Sequence, residues 1–128
     1  FSYRNILLTG DTLFNGKVGR CFTGDVEGFF RSVKKLMGFP DNTFIYAGHD
    51  YYLEYLETAH ELEPENRLLE ICRDGYDREK ILVSTLGWEK KVDPFLRFNQ
   101  PSLIRLMNDR GLGTGSEFER FSSMLTLM

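Results

Sequence analysis

Ile6-Leu7-Leu8-Thr9-Gly10-Asp11 and Thr43-Phe44-Ile45-Tyr46-Ala47-Gly48-His49 are the two stretches that decide how this chain begins to fold. Each is a short apolar run that empties into a glycine and then a polar residue, the pattern of a buried strand closed by a turn. Between them Val26, Phe29, Phe30, Val33, Leu36 and Met37 recur at three- and four-residue spacing, which predicts an amphipathic helix from Asp25 to Met37. Asp25 stands as its N-cap, Lys34 and Lys35 complement the dipole in its last turn, and Gly38 and Pro40 end it. Strand, helix, strand is the expected order. The chain opens at Phe1 in mid-pattern, with Tyr3-Arg4-Asn5-Ile6-Leu7-Leu8 reading as a strand already entering a sheet, as if a beginning had been cut away. Gly16, Gly19 and Gly24 mark the stretch between the first strand and the helix as a loop.

Beyond His49 strand signals disappear and the periodicity turns helical. Leu53, Leu56, Ala59 and His60 share one face of a helix from Asp50 to Leu62 that Pro64 stops, and Asn66 to Arg73 reads as a shorter piece. Ser84-Thr85-Leu86 caps a short turn before Pro94, and Pro101 opens a helix over Ser102 to Asp109. Ser116 with Glu119 forms a capping box for a last helix through Phe118, Phe121 and Leu125, and Gly111-Leu112-Gly113-Thr114-Gly115 reads as a flexible hinge before it. An α/β front segment is therefore followed by an all-α region.

The 128 residues are about one domain's worth, and 41% hydrophobic with 14% aromatic content excludes a disordered chain. A formal charge of −3 with scattered Lys and Arg offers no basic stripe for a phosphate backbone, which excludes a nucleic-acid partner. No apolar run reaches the ~18–20 residues of a membrane span and no signal-peptide pattern opens the chain, so a cytoplasmic protein without a membrane partner is expected. Cys21 and Cys72 are too far apart for a local metal pair and too few for a disulfide framework, which predicts reduced, buried thiols.

Two polar side chains follow the two strands, Asp11 and His49. Strand ends are where open α/β sheets hold their ligands, so the pair can converge on one cation or substrate; Gly-Asp-Thr and Gly-His-Asp are equally ordinary turn chemistry. His60, on the apolar face of its helix, reads as a structural histidine.

The wider segment Gly10-Asp11-Thr12-Leu13-Phe14-Asn15-Gly16-Lys17-Val18-Gly19-Arg20 resembles the G-D-T-L-F-x-G-G-C-G-R signature of glyoxalase II, the hydroxyacylglutathione hydrolases of the metallo-β-lactamase superfamily, departing at Lys17 and Val18. Ile45-Tyr46-Ala47-Gly48-His49-Asp50-Tyr51 is similar to the family's V-Y-C-G-H-E-Y, and Glu63-Pro64-Glu65-Asn66 to its V-E-P-D-N. Ser84-Thr85-Leu86 and Asp93-Pro94-Phe95-Leu96-Arg97 resemble its P-S-T-I and N-P-F-L-R. The resemblance runs from Asn5 to Arg97 and is to the C-terminal half of the family's chain. It implies part of an αββα sandwich over residues 1–60 and the family's helical C-terminal domain over 61–128.

By the same resemblance Asp11 bridges two divalent metal ions, zinc, iron or manganese, and His49 completes the second ion's shell. A carboxylate can span cations about 3.5–4 Å apart, and imidazole suits these metals. In the family the metals activate water for attack on the thioester of an S-(2-hydroxyacyl)glutathione, and a thiolate leaves. Arg20, Phe22 and Tyr51 fall at positions that help hold the glutathione; Phe22, where the family often has Tyr, can pack but not hydrogen-bond. The family's basic pair in the last helices has its nearest candidates in Arg110 and Arg120.

The family's other metal ligands come from a T-H-x-H-x-D-H motif and a further His upstream of G-D-T, whereas this chain holds only His49 and His60. Catalytic zinc normally takes three protein ligands and a water, so metal bound weakly or not at all, and no competent hydrolysis, is expected of the chain by itself. Three readings follow. One is the C-terminal half of a glyoxalase II-type thioester hydrolase, truncated. Another is a non-catalytic remnant serving as an interaction or oligomerisation module, its exposed sheet edge paired with a partner or with its own copy. The third is a superfamily hydrolase or sulfur dioxygenase of different substrate, against which the Pro94-Phe95-Leu96-Arg97 segment argues.

Overall fold

The computed structural model describes residues 2–10, 12–14, 17–19, 24–47 and 51–128. Strands β1 (Ser2–Tyr3) and β2 (Ile6–Gly10) form a tight antiparallel hairpin that reverses at Arg4, whose φ of 55° is the left-handed value such a turn requires. The chain then makes a small ribbon, β3 (Leu13–Phe14) antiparallel to β4 (Lys17–Val18), before helix α1 (Val26–Met37). Strand β5 (Phe44–Ala47) returns parallel to β2. Helices α2 (Tyr52–Leu62) and α3 (Leu68–Asp74) follow, then β6 (Ser84–Thr85), which pairs antiparallel with β5. Helices α4 (Leu86–Val92), α5 (Pro101–Asp109) and α6 (Glu117–Leu125) complete the order. The result is a small mixed sheet, β1-β2-β5-β6, with helices around it, in keeping with an α/β segment followed by helices.

Capping follows the sequence closely. The Asp25 carboxylate accepts from Gly28 N–H at 2.9 Å, Thr85 Oγ1 from Trp88 N–H at 3.2 Å, and Ser116 Oγ from Glu119 N–H at 3.1 Å. Each hydroxyl or carboxylate satisfies a backbone donor that the first turn leaves without a partner.

Among the described residues, one face of the sheet is covered and the other is largely exposed. The partners Leu7 and Ile45 are 2% and 0% exposed, while Leu8 and Phe44, one residue along each strand, are 49% and 39% exposed. Side chains alternate along a strand, so the covered face packs on the core and the other presents Leu8, Phe44 and the half-exposed Tyr3 outward. Against the covered face the core gathers Val33 of α1, Phe95 and Phe98 of the α4–α5 connection, Leu103 and Met107 of α5, and Phe121 of α6. Phe121 is fully buried, with ring centroids of Phe29, Phe30 and Phe98 at 5.8, 5.2 and 5.8 Å, and these contacts lock α6 onto α1. A second cluster joins Tyr52, Leu56 and Ala59 of α2 to Leu69 and Cys72 of α3 and Val92 of α4.

Several expectations are corrected. Residues 3–8 are a hairpin rather than one strand, because Arg4 and Asn5 turn the chain. Ser84-Thr85 is a strand as well as a cap: two residues are too few to show a period, but β5 offers them an open edge. The glycine-rich stretch after β2 includes the β3–β4 ribbon. His60 is exposed, since the buried stripe of α2 runs through Tyr52, Leu56 and Ala59 and leaves His60 at its margin. The Gly111–Gly115 segment is held rather than hinged: the Thr114 carbonyl accepts from Arg120 Nη1 at 3.0 Å and the Gly113 carbonyl from Ser123 Oγ at 2.7 Å. Cys72 is buried and reduced as expected; Cys21 lies outside the described residues.

Candidate functional site

Parallel pairing of β2 with β5 sets Ile6 opposite Phe44, Leu7 opposite Ile45 and Leu8 opposite Tyr46, then shifts so that Gly10 faces Ala47. The C-terminal ends of the two strands therefore stop side by side, about 5 Å apart as neighbouring strands are. Asp11 and His49 follow these ends in the sequence, and like Arg20 and Phe22 they lie outside the described residues. What the structure defines is the platform they leave from.

That platform is hydrogen-bonded on several sides. Gly10 has φ +53°, a backbone value that disfavours any side chain, and with it Thr12 N–H reaches back to the Thr9 carbonyl at 3.0 Å. Thr9, 7% exposed, donates its hydroxyl to the Leu13 carbonyl at 2.5 Å, with the Tyr46 carbonyl of β5 at 3.3 Å from the same oxygen. Gly19 N–H donates to the Thr12 carbonyl at 2.8 Å and so ties the far end of the β3–β4 ribbon to the same turn.

Of Asp11, Arg20, Phe22, His49 and Tyr51, Tyr51 is the one that is described. It is the N-cap residue of α2, 43% exposed, and its ring meets the Tyr55 ring edge-on with centroids 5.7 Å apart. Of the two C-terminal arginines, Arg110 is exposed, while Arg120 is engaged by Asn99 Oδ1 at 2.9 Å and the Thr114 carbonyl.

Among the described residues no three His, Cys, Asp or Glu side chains are grouped to hold a metal ion. The side chains that follow the paired strand ends in the sequence, one carboxylate and one imidazole, are of a kind that could hold a divalent cation, and two are fewer than the three protein ligands usual for catalytic zinc. Two adjacent parallel strand ends are a suitable base for such a pair, so the fit is to a shared or partial site.

The motifs farther along are structural in their geometry. Glu63 is 2% exposed, and its carboxylate accepts from Arg97 Nε and Nη2 at 2.8 and 2.9 Å and from Ser102 Oγ at 3.0 Å. Asn66 Nδ2 lies 3.3 Å from the same carboxylate and donates to the Lys91 carbonyl at 2.8 Å. Burial pushes the Glu63 carboxyl upward, but the hydrogen bonds and charge of Arg97, with Ser102 and Asn66, outweigh it and hold the group below its ordinary value. Asp93 is buried and receives Phe95 N–H at 2.9 Å, while Ser84 Oγ donates to the buried Glu89 at 2.6 Å. No local spacing in the sequence announces the Glu63–Arg97 pair, because the two are 34 residues apart.

A second polar feature lies near α3. Trp88 Nε1 donates to Cys72 Sγ at 3.2 Å, and burial first of all pushes the Cys72 thiol and the Tyr52 phenol above their usual ranges. Both groups stay protonated near neutral pH and are packing elements rather than nucleophiles.

No family model matches the chain. It is similar to curated proteins named hydroxyacylglutathione hydrolase. One from Chromohalobacter salexigens is 39% identical over 83% of this chain and 44% of its own length. One from Vibrio cholerae is 42% identical over 77% of this chain and 41% of its own, and one from Psychromonas ingrahamii 34% over 93% and 49%. The chain thus spans less than half the length of each of these relatives while matching them over most of its own.

Proposed function

We propose, from this similarity to hydroxyacylglutathione hydrolases, that the chain forms the C-terminal part of a metal-dependent thioester hydrolase. The reaction is cleavage of an S-(2-hydroxyacyl)glutathione to glutathione and a 2-hydroxy acid. The observation that carries the reading is the pairing of Gly10 with Ala47, which sets side by side the two strand ends that run on into Asp11 and His49.

In this reading Asp11 and His49 hold divalent metal, and when bound such ions lower the pKa of water and polarise a carbonyl. Arg20 pairs with a glutathione carboxylate through its planar fork, the exposed Tyr51 offers an aromatic ring and hydroxyl to the glutathione, and Phe22 adds apolar contact. The organisation proposed with it is a sandwich portion over residues 1–60 and a helical portion over 61–128. With two donors the chain alone holds metal weakly and leaves the thioester intact. Elemental analysis of the purified chain, with S-lactoylglutathione hydrolysis measured beside Asp11→Ala and His49→Ala, tests this. Substoichiometric metal lost in both variants, with no hydrolysis above background, is expected. Stoichiometric metal with turnover that both substitutions abolish refutes the partial-site reading.

One observation favours a second reading, an interaction module: the outward sheet face carrying Tyr3, Leu8 and Phe44 at 58%, 49% and 39% exposure. The outer strands β1 and β6 are two residues each, too short to template much edge pairing, so this face rather than an edge is the surface to suspect. A stable, metal-free oligomer in light scattering would move weight to it.

A further inference from the structure

We propose that Thr9 is a positioning residue for the site at the ends of β2 and β5; the proposal rests on the reading of Asp11 and His49 given above. Its hydroxyl is buried at the point where the β2–β5 register shifts, between Leu8 and Gly10. The hydroxyl has one hydrogen, and it serves the Leu13 carbonyl at 2.5 Å while sitting 3.3 Å from the Tyr46 carbonyl. Leu13 opens β3 and Tyr46 is the residue before the end of β5, so one side chain of β2 is hydrogen-bonded to the segment after position 11 and lies against the strand that precedes position 49. The Thr12 N–H bond to the Thr9 carbonyl closes the same turn from within.

A side chain that only had to fill this volume in a strand would be served as well by valine, which is β-branched, isosteric and strand-favouring. Valine leaves the Leu13 carbonyl without the Thr9 donor, and the turn then keeps only its backbone bonds, from Thr12 N–H to the Thr9 carbonyl and from Gly19 N–H to the Thr12 carbonyl. Residues that orient metal ligands from behind typically change metal affinity by about 10–100-fold when replaced. Thr9 acts on the backbone and not on a ligand side chain, so the low end of that range applies.

The test uses Mn2+ as probe and the broadening of the Gly10 and Ala47 amide signals as readout, titrated to give an affinity for the full chain. Thr9→Val is expected to weaken Mn2+ binding about 10-fold, and Thr9→Ser, which restores a hydroxyl, to return it to within about twofold of the wild type. Ser123→Ala removes an equally buried hydroxyl-to-carbonyl bond, to Gly113 at 2.7 Å, far along the chain in α6; it should leave the Mn2+ affinity unchanged. If Thr9→Val does not fold, Thr9→Ala, which lacks the hydroxyl and adds no bulk, is read in its place. Wild-type affinity in a folded Thr9→Val, with Asp11→Ala and His49→Ala both impaired, overturns the role of Thr9 alone. Broadening that is absent from the wild type, or insensitive to Asp11→Ala and His49→Ala, overturns the metal reading and the role of Thr9 with it.

Discussion

Replacing Arg97 by methionine keeps an unbranched apolar stem in place while removing the guanidinium that clasps Glu63. The carboxylate would then remain 2% exposed, with Ser102 and Asn66 as its neighbours in place of two charge-assisted bonds at 2.8 and 2.9 Å. Removing one partner of a buried pair costs about 3–5 kcal/mol, because the other charge stays desolvated. For a chain of this length each kcal/mol moves Tm by roughly 3–5 °C, so a fall of about 10–25 °C is expected. The double replacement Arg97→Met with Glu63→Gln should recover much of the loss, since the amide carries no charge and can still meet Ser102. The pH dependence provides a sharper check. In the wild type the Glu63 carboxyl is held low, so its contribution is present above the ordinary glutamate value of about 4.3 and is lost as pH falls through the lower, folded value. Without Arg97, burial is the dominant influence and raises the group, so the folded variant binds the proton more tightly than the unfolded chain and gains stability as pH falls from 7. The gap between the two proteins should therefore narrow with acidification. Urea unfolding followed by the fluorescence of Trp88, the single tryptophan, at about pH 7 and about pH 5 measures it. A loss below about 1 kcal/mol at neutral pH, or a gap that stays constant, would refute the argument.

Phe121→Ala should cost about 3–5 kcal/mol in urea unfolding, because the side chain is fully buried among three other rings, whereas Phe118→Ala, 38% exposed, should cost less than about 1. Thr85→Ala removes the α4 cap and should lower stability by about 1 kcal/mol, with Thr85→Ser close to wild type. Cys72 is 7% exposed with its thiol pushed up by burial, so peptide mapping after alkylation near pH 8 should find it unmodified in the native chain and modified in urea; equal labelling in both would contradict the packing around Trp88.

The elements that could be read in advance are those whose signals are local. The three- and four-residue spacing of Val26 to Met37, the Asp25, Thr85 and Ser116 caps and the apolar runs of β2 and β5 all depend on near neighbours, and the structure places each where the spacing puts it. The two-residue strands β1, β3, β4 and β6 carry no period and form because a partner edge is available. His60 illustrates the same limit on a helix. It is one residue from buried Ala59, and whether the apolar stripe includes it depends on where α3 packs. The glycine-rich stretch before α6 reads as loose until Arg120 and Ser123 turn back to hold its carbonyls.

For the site, residue types and their place after two strands were available from the chain alone. Asp11, His49, Arg20, Phe22 and Tyr51 are the residues that motif and order lead one to expect there. Only the folded chain decides that β2 and β5 are immediate, parallel neighbours with Gly10 beside Ala47, that the Thr9 hydroxyl meets the Leu13 carbonyl, and that Glu63 and Arg97 form a buried pair. The reason is the range of the interactions. Helix periods and caps are set by groups within four residues of each other, whereas strand partners and ion pairs across 34 residues exist only once burial has brought distant segments together and made an unpartnered polar group costly.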